Sequence, residues 1–158
     1  MTKLPLFSSA TRACGRFIVG AIEDGDHWWV TNGFALYKTR PPTAKQLDRA
    51  REKIAKMRAP HVTLEMLQRT LDRAGAAALP TKVGADTREF GHLTGRVLVT
   101  DGVDPADWTW VQDRYLAPIP DGAAFFVCES PREPVAVRLD GTLVAAIMPL
   151  VTGPEAVT

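Results

Sequence analysis

Short apolar runs rich in β-branched and aromatic residues recur along the chain and predict strands. Two such runs in residues 16–38 flank the turn Glu23-Asp24-Gly25-Asp26, and the run FALYK follows Asn32-Gly33. Later runs are RVLVT, AAFFVCES, PVAVRL and TLVAAIMPL. The last two are separated by Asp140-Gly141, a pair that favours a two-residue turn with positive φ. The pattern therefore predicts an antiparallel meander at the end of the chain.

Apolar residues three and four positions apart predict two helices in the middle of the chain. The first covers residues 44–59 after a threonine N-cap at position 43, and the second covers residues 64–74 after a threonine N-cap at position 63. Gly75 then stands where a C-terminal capping glycine is expected. Together these signals predict a helical hairpin over about residues 43–75.

Two other segments have weaker patterns. Residues 8–15 are predicted to form a short helix. Residues 75–95 have low periodicity, so we expect a loop there with one short piece of structure. The segment DGVDPADWTW is likewise predicted to be a loop before the last part of the chain.

The composition is typical of a globular protein. The chain has 158 residues, of which 46% are hydrophobic and 23% charged, so the sequence predicts a single domain with a real core. No apolar run approaches the roughly 20 residues that a membrane span needs. The first residues lack the continuous apolar region of a signal peptide. We therefore expect a cytoplasmic protein that does not associate with a membrane.

Charge is distributed unevenly along the chain. Between Lys38 and Arg58 there are eight basic residues and two acidic ones, whereas from Asp101 onward there are nine acids and three arginines. The net charge of +1 hides this asymmetry. Such a distribution allows a polyanion to be held on one side of the protein.

No motif of a known enzyme class occurs, so the sequence predicts no catalytic residue, no metal site and no cofactor. Cys14 and Cys128 are far apart and outside any CxxC motif, which favours two buried thiols. The histidines, at positions 27, 61 and 92, have no paired ligand motif. The acids of DGVDPADWTWVQD lack the order of a calcium loop, and turn chemistry explains them.

The end of the chain has, in this order, Tyr115-Leu116, Phe125–Val127, Pro134-Val135, Asp140-Gly141 and Met148-Pro149-Leu150. These elements in this order resemble the closing segment of the bacterial DNA sliding clamp, the beta subunit of the replicative polymerase. In addition, residues 30–36 (VTNGFAL) are similar to the family's strand and "ATDGHRLA"-like turn. Three features depart from the family: the chain has the length of one clamp domain rather than three, the helical segment does not follow the pattern, and Leu150-Val151 replace the usual Met and Arg.

The resemblance implies an α+β fold, a single clamp-like domain over residues 1–158 with antiparallel sheets and two helices packed on one face. The helical hairpin would be an insertion or a replacement. The implied function is a non-enzymatic DNA sliding clamp, in an abbreviated bacteriophage version in the host cytoplasm. It would act as a processivity factor or bind clamp-interacting proteins. A ring of single-domain chains would be a homo-oligomer.

The resemblance also implies a pocket. In clamps the last strand borders an apolar pocket that captures short motifs of DNA polymerase and other replication proteins, so the implied pocket residues are Tyr115, Met148, Pro149 and Leu150. Methionine suits such a pocket because its side chain adapts to varied partners. The alternative is that Met148 and Leu150 simply complete the core.

One face of the first helix predicts DNA contact independently of the resemblance. Lys45, Arg49, Lys53 and Lys56 fall within about 80° of its surface. Cations on one face suit sequence-nonspecific binding to the phosphates of double-stranded DNA. The alternative is a solvated face with no ligand.

Two other functions stay open from the sequence alone. The chain could be a phage protein-interaction or regulatory module that binds a host protein without DNA. A small hydrolase could use His27 or His92 with Asp101, although no spacing demands it.

Overall fold

Two kinds of element make up an α+β fold in the computed structural model, which describes residues 4–58 and 62–150. The α-helices of this part are α1 (Phe7–Cys14), α2 (Ala44–Lys56) and α3 (Leu64–Gly75). Its strands are β1 (Gly20–Asp24), β2 (His27–Thr31), β3 (Ala35–Thr39), β4 (Leu79–Phe90), β5 (Leu93–Val99), β6 (Thr109–Gln112), β7 (Ala124–Val127), β8 (Val135–Leu139) and β9 (Thr142–Ile147). The predicted α+β class is confirmed.

The strands form one antiparallel sheet in the order β1-β2-β3-β9-β8-β7-β4-β5-β6. The predicted meander is confirmed as β7-β8-β9. Asp140 (φ 52°) and Gly141 (φ 78°) form its last turn, with the paired φ > 0 residues of a type I′ hairpin. β9 also pairs with β3 through Ala35 and Ile147, which joins the end of the chain to its first hairpins.

The prediction of a loop over residues 75–95 is wrong, because β4 occupies most of it and is a 12-residue strand. Its first residues pair with β7 and the rest pair with β5, with a register shift between Val83 and Thr87. Most of its side chains are exposed, so no alternation of apolar and polar residues marks it. Pairing with two neighbours, rather than burial, gives this segment its extended form.

The segment around the third and fourth tryptophans also differs from the prediction. β6 begins at Thr109 inside the predicted loop, and residues Asp113–Leu116 form a short 3-10 helix. Trp108 and Trp110 flank Thr109, and the indole nitrogen of Trp108 donates a hydrogen bond to the carbonyl oxygen of Thr100 at 3.2 Å.

The two predicted helices form, but they pack on opposite faces of the sheet. Trp28 and Trp29 are adjacent on β2, so their side chains point to opposite faces. Trp28 belongs to one buried cluster with α1 and α2, and Trp29 belongs to another with α3. Two helices therefore share one face, as predicted, but they are α1 and α2; α3 covers the other face, because each apolar face of this sheet requires its own cover.

The helix ends show why these segments are helical. Thr43 and Gln46 form a reciprocal capping box at the start of α2, and the hydroxyl of Thr63 accepts a hydrogen bond from the backbone of Met66 at the start of α3. In the described part of the chain no helix has both the length and the apolar character that crossing a bilayer requires.

Candidate peptide-binding cleft

The three residues after β9 connect the middle of the sheet to its edge. The backbone nitrogen of Met148 donates a hydrogen bond to the carbonyl oxygen of Phe34 at 2.8 Å, and that of Leu150 donates to Trp110 in β6 at 2.7 Å. Strands β9 and β6 are five positions apart in the sheet, which is about 24 Å if the sheet were flat. Three residues span at most about 10 Å. The sheet must therefore curl, and the curl leaves a concave surface beside Met148.

All four predicted pocket residues meet in this concavity, which we call the main cleft. Its volume is about 820 Å³, and Tyr115, Met148, Pro149 and Leu150 line it together. Tyr115 is buried, whereas the other three are half-buried. Met148 and Leu150 therefore do more than complete the core, because both border open space.

Aromatic residues that the sequence did not single out form other walls of the main cleft. Phe17 and Phe34 line it with 55% and 64% of their surfaces exposed. Phe90 lines it from the end of β4 and packs on Trp110 with ring centroids 5.9 Å apart. An apolar residue directly after the Asn32-Gly33 turn was the available signal for Phe34, since turn positions are usually polar.

A second depression, the side cleft, lies between α3 and the sheet. Its volume is about 270 Å³, and Met66 and Leu67 of α3 line it. Phe34 and Met148 line both clefts. These two side chains therefore form a ridge that separates two apolar concavities.

Buried hydrogen bonds fix the floor of the main cleft. The side-chain nitrogen of Asn32 donates to the hydroxyl of Tyr115 at 2.9 Å, while its oxygen accepts from the backbone nitrogens of Phe34 and Ala35, each at 2.9 Å. The hydroxyl of Tyr37 donates to the carbonyl oxygen of Tyr115 at 2.7 Å. Burial raises the pKa of Tyr37, so its proton stays in place to make this bond. The floor is thus held by groups in the β2–β3 turn, on β3 and on the 3-10 helix.

The thiols are both free, and they differ in burial. Cys14 is buried and Cys128 is half-buried. Burial raises the pKa of the Cys14 thiol to about 12, against smaller lowering effects of Arg114 and Lys53. A neutral thiol at the edge of the main cleft is a packing group at neutral pH, since the thiolate is the reactive form.

The predicted DNA-binding residues Lys45, Arg49, Lys53 and Lys56 are all exposed on α2. The opposite side of the helix packs on the sheet through Ala50. None of the four cations forms an ion pair with a residue that the structure describes. α2 packs against residues Gly15–Phe17, which border the main cleft. Helix α2 therefore lies beside the main cleft, and none of the four cations lines it.

The acids of residues 101–113 have local structural roles. The carboxylate of Asp104 accepts a hydrogen bond from the backbone of Ala106 at 2.9 Å, and Asp113 pairs with Arg96 at 2.9 Å. Over residues 4–58 and 62–150, no three His, Cys, Asp or Glu side chains group in a way that could hold a metal ion.

The histidines considered for a hydrolase lie in different surroundings. His27 lies between the carboxylates of Asp24 and Asp26, at 3.3 and 3.2 Å. His92 lines the main cleft, whereas Asp101 is not among the residues lining it. The third histidine, at position 61, lies outside the described residues.

Comparison of the chain with protein families, with curated proteins and with solved structures finds no match.

Proposed function

We propose that this chain is a non-enzymatic, sliding-clamp-like protein of DNA replication, in an abbreviated bacteriophage form that works in the host cytoplasm. One observation carries the proposal. The residues that the clamp resemblance names for a partner pocket, Tyr115 and Met148-Pro149-Leu150, line a single open cleft of about 820 Å³. The partner would be DNA polymerase or another protein with a clamp-binding motif.

The shape of the main cleft suits a peptide anchor. Sites that bury small ligands or side-chain anchors have volumes of about 300–1,000 Å³ and are mostly apolar. The exposed ring of Phe34 and the half-buried side chain of Met148 provide apolar area that a partner could cover. Because methionine is unbranched, it adjusts to anchors of different shapes.

The proposed DNA contact is made by Lys45, Arg49, Lys53 and Lys56, through charge and without base readout. A single chain cannot encircle a duplex. A ring would need several copies joined by a heterologous interface that closes on itself. As a processivity factor the protein would form that ring, and as a binder of clamp-interacting proteins it would work as a monomer.

A second candidate is a phage protein-interaction or regulatory module that binds a host protein without DNA. It is favoured by the side cleft, because Phe34 and Met148 are shared between two concavities and so offer a surface for a protein partner that requires no DNA.

Binding of a labelled synthetic peptide with a bacterial clamp-binding motif tests the leading proposal. We expect the full chain to bind it and Met148→Ala to weaken binding about tenfold, since loss of a central apolar contact costs roughly 1–2 kcal/mol. The matched control is Leu64→Ala on α3, an exposed apolar residue with 45% of its surface accessible.

Equal affinity in Met148→Ala and wild type, or no binding at all, would contradict the proposal. Light scattering with and without duplex DNA then separates the roles. A closed multimer on DNA supports a processivity factor, and a monomer that binds the clamp-motif peptide supports a binder of clamp-interacting proteins. Binding of neither the peptide nor DNA leaves the regulatory module.

A further inference from the structure

The main cleft carries positive charge and has no carboxylate among its lining residues. Arg16 and Arg114 line it together with apolar side chains, and no Asp or Glu is among its lining residues. Acids are otherwise frequent in this chain, which has 18 of them against 19 Lys and Arg. The charge of the cleft is thus a local feature rather than a reflection of the whole composition.

A hydrogen bond to the end of α1 holds the side chain of Arg114 in position. Its Nε donates a hydrogen bond to the carbonyl oxygen of Ala13 at 2.8 Å, in the last turn of α1. That carbonyl group has no partner inside the helix, so an arginine is favoured there. The guanidinium carbon also lies 5.7 Å from the ring centroid of Tyr115. A guanidinium fixed through Nε presents its terminal N–H groups in one orientation.

The absence of a side chain at Gly15 allows the guanidinium of Arg114 to lie against the end of α1. A Cβ atom at this position would lie 2.5 Å from Nη2 of Arg114, so any side chain would displace the guanidinium. Gly15 also has a φ of 67°, a conformation that glycine adopts without strain. The end of α1 is therefore built to accommodate the arginine.

Arg16 supplies a second cation at the same cleft. Its guanidinium carbon lies 5.3 Å from the ring centroid of Phe17, and its side chain is exposed. Neither Arg16 nor Arg114 forms an ion pair with a carboxylate in the described ranges. Two cations beside an apolar surface, one of them held in position, favour a ligand that combines apolar groups with negative charge.

We propose that the main cleft selects an acidic peptide segment, one in which large apolar side chains fill the space beside Met148 while an Asp or Glu is bound by Arg114 and Arg16. This inference rests on the proposed function, because it names the chemistry of the peptide for the same cleft. Single-stranded nucleic acid is the competing ligand, since arginines and exposed phenylalanines also bind stacked bases. The peptide is favoured because Met148, Pro149 and Leu150 offer half-buried aliphatic surface, which packs side chains and does not stack bases.

The test uses the full chain and a displayed library of short peptides that mix Leu, Phe, Met and Ser with Asp, Asn and Lys. Retained peptides are synthesised as twins that differ only by Asp or Asn and are measured by fluorescence anisotropy. We expect the Asp twin to bind about fivefold more tightly at low salt. The difference should shrink between about 0.05 M and about 0.5 M NaCl, because salt screens exposed charges.

The variant Arg16→Gln/Arg114→Gln should remove the difference between the twins, and Arg51→Gln, an exposed arginine on α2 outside the cleft, should leave it unchanged. Arg114 also supports the end of α1, so each variant's melting temperature is measured. If the double variant does not fold, the test uses Arg16→Gln alone. This variant should reduce the difference in affinity between the Asp and Asn twins.

The outcomes separate the two proposals. Equal affinity of the twins, with binding that still requires Met148, overturns the acidic preference and leaves the peptide cleft in place. Retention of no peptide overturns both. A single-stranded oligonucleotide that binds at Phe17 and Phe34 and displaces every peptide also overturns the acidic peptide, in favour of a nucleic-acid site.

Discussion

The side-chain nitrogen of Asn32 donates a hydrogen bond to the hydroxyl of Tyr115 at 2.9 Å, across 83 positions of the chain. Asn32 and Tyr115 belong to the two segments for which we predicted a resemblance to sliding clamps. Their contact lies under the main cleft, so the turn that presents Phe34 and the helix that presents Arg114 are joined at this point. The shape of the cleft therefore depends on a buried polar pair rather than on apolar packing alone.

Tyr115→Phe should lower the free energy of unfolding by about 1–2 kcal/mol, because it leaves a buried amide donor of Asn32 without its better acceptor. A double-mutant cycle with Asn32→Ala, followed by urea unfolding, isolates the pair. We expect a coupling energy of about 1 kcal/mol. A coupling near zero would show that the two side chains contribute independently.

Phe34→Ser should separate binding from folding. With 64% of its surface exposed, Phe34 contributes little to the core, so the free energy of unfolding should change by no more than about 0.5 kcal/mol. Affinity for the clamp-motif peptide should fall about tenfold, because the ring stands between the two clefts. A large loss of stability, or unchanged peptide affinity, would be inconsistent with this role.

Charge reversal on α2 tests the DNA contact. We expect wild type to bind duplexes of different sequence alike, with affinity that falls steeply as salt rises. Arg49→Glu/Lys53→Glu should weaken binding and reduce the slope of log K against log salt by about 2. Fluorescence anisotropy at several salt concentrations measures both quantities.

The matched control for that experiment is Arg51→Glu/Arg58→Glu. It changes the net charge equally, at Arg51 on the other flank of the apolar stripe of α2 and at Arg58 just after the helix ends. If both double variants weaken DNA binding to the same degree, the effect reflects overall charge rather than the face formed by Lys45, Arg49, Lys53 and Lys56. If neither does, α2 does not contact DNA.

Stability should fall in alkaline solution because of Cys14. Burial raises the pKa of its thiol from 9.0 to about 12 in the folded chain. The unfolded chain loses this proton at lower pH than the folded chain, so the free energy of unfolding declines as pH rises through this interval, by up to about 1.4 kcal/mol per pH unit. Below the ordinary thiol pKa the stabilisation is fully present.

Cys14→Ala should flatten this decline, as measured by urea midpoints across the same pH range. Burial also raises the pKa of Tyr37, so a residual decline should persist at the upper end. Cys128→Ala is the comparison, and it should have less effect because its thiol is only half-buried. If the free energy of unfolding declines equally with pH in wild type and in Cys14→Ala, groups other than Cys14 cause the decline.

Gly141→Ala should destabilise the last hairpin by about 1 kcal/mol, because Gly141 has a φ of 78° that alanine adopts only with strain. No atom lies within 4 Å of the added methyl position, so the cost is conformational. Gly75→Ala is the control, since its site is equally open and lies at the end of α3 without positive φ. It should be neutral or stabilising by about 0.5 kcal/mol. Equal effects in thermal or urea unfolding would contradict this account.

The candidate site could be predicted in part. Tyr115, Met148, Pro149 and Leu150 were named from the resemblance, and the structure brings them into one cleft. Phe34, Phe90 and Arg114 were not named, because their roles depend on a cleft formed by segments far apart in sequence. Whether the cleft binds a peptide and whether α2 binds DNA stay predictions.

The sequence by itself determined the local structure. Thr43 and Thr63 start their helices and Asp140-Gly141 forms its hairpin, because caps and tight turns depend on the conformational preferences of a few adjacent residues. Only the tertiary structure decided that residues 79–90 form a strand, that α2 and α3 cover opposite faces, and that Met148 borders open space. These features arise from pairing and curvature that join distant segments, and no local pattern of apolar and polar residues encodes which segments will meet.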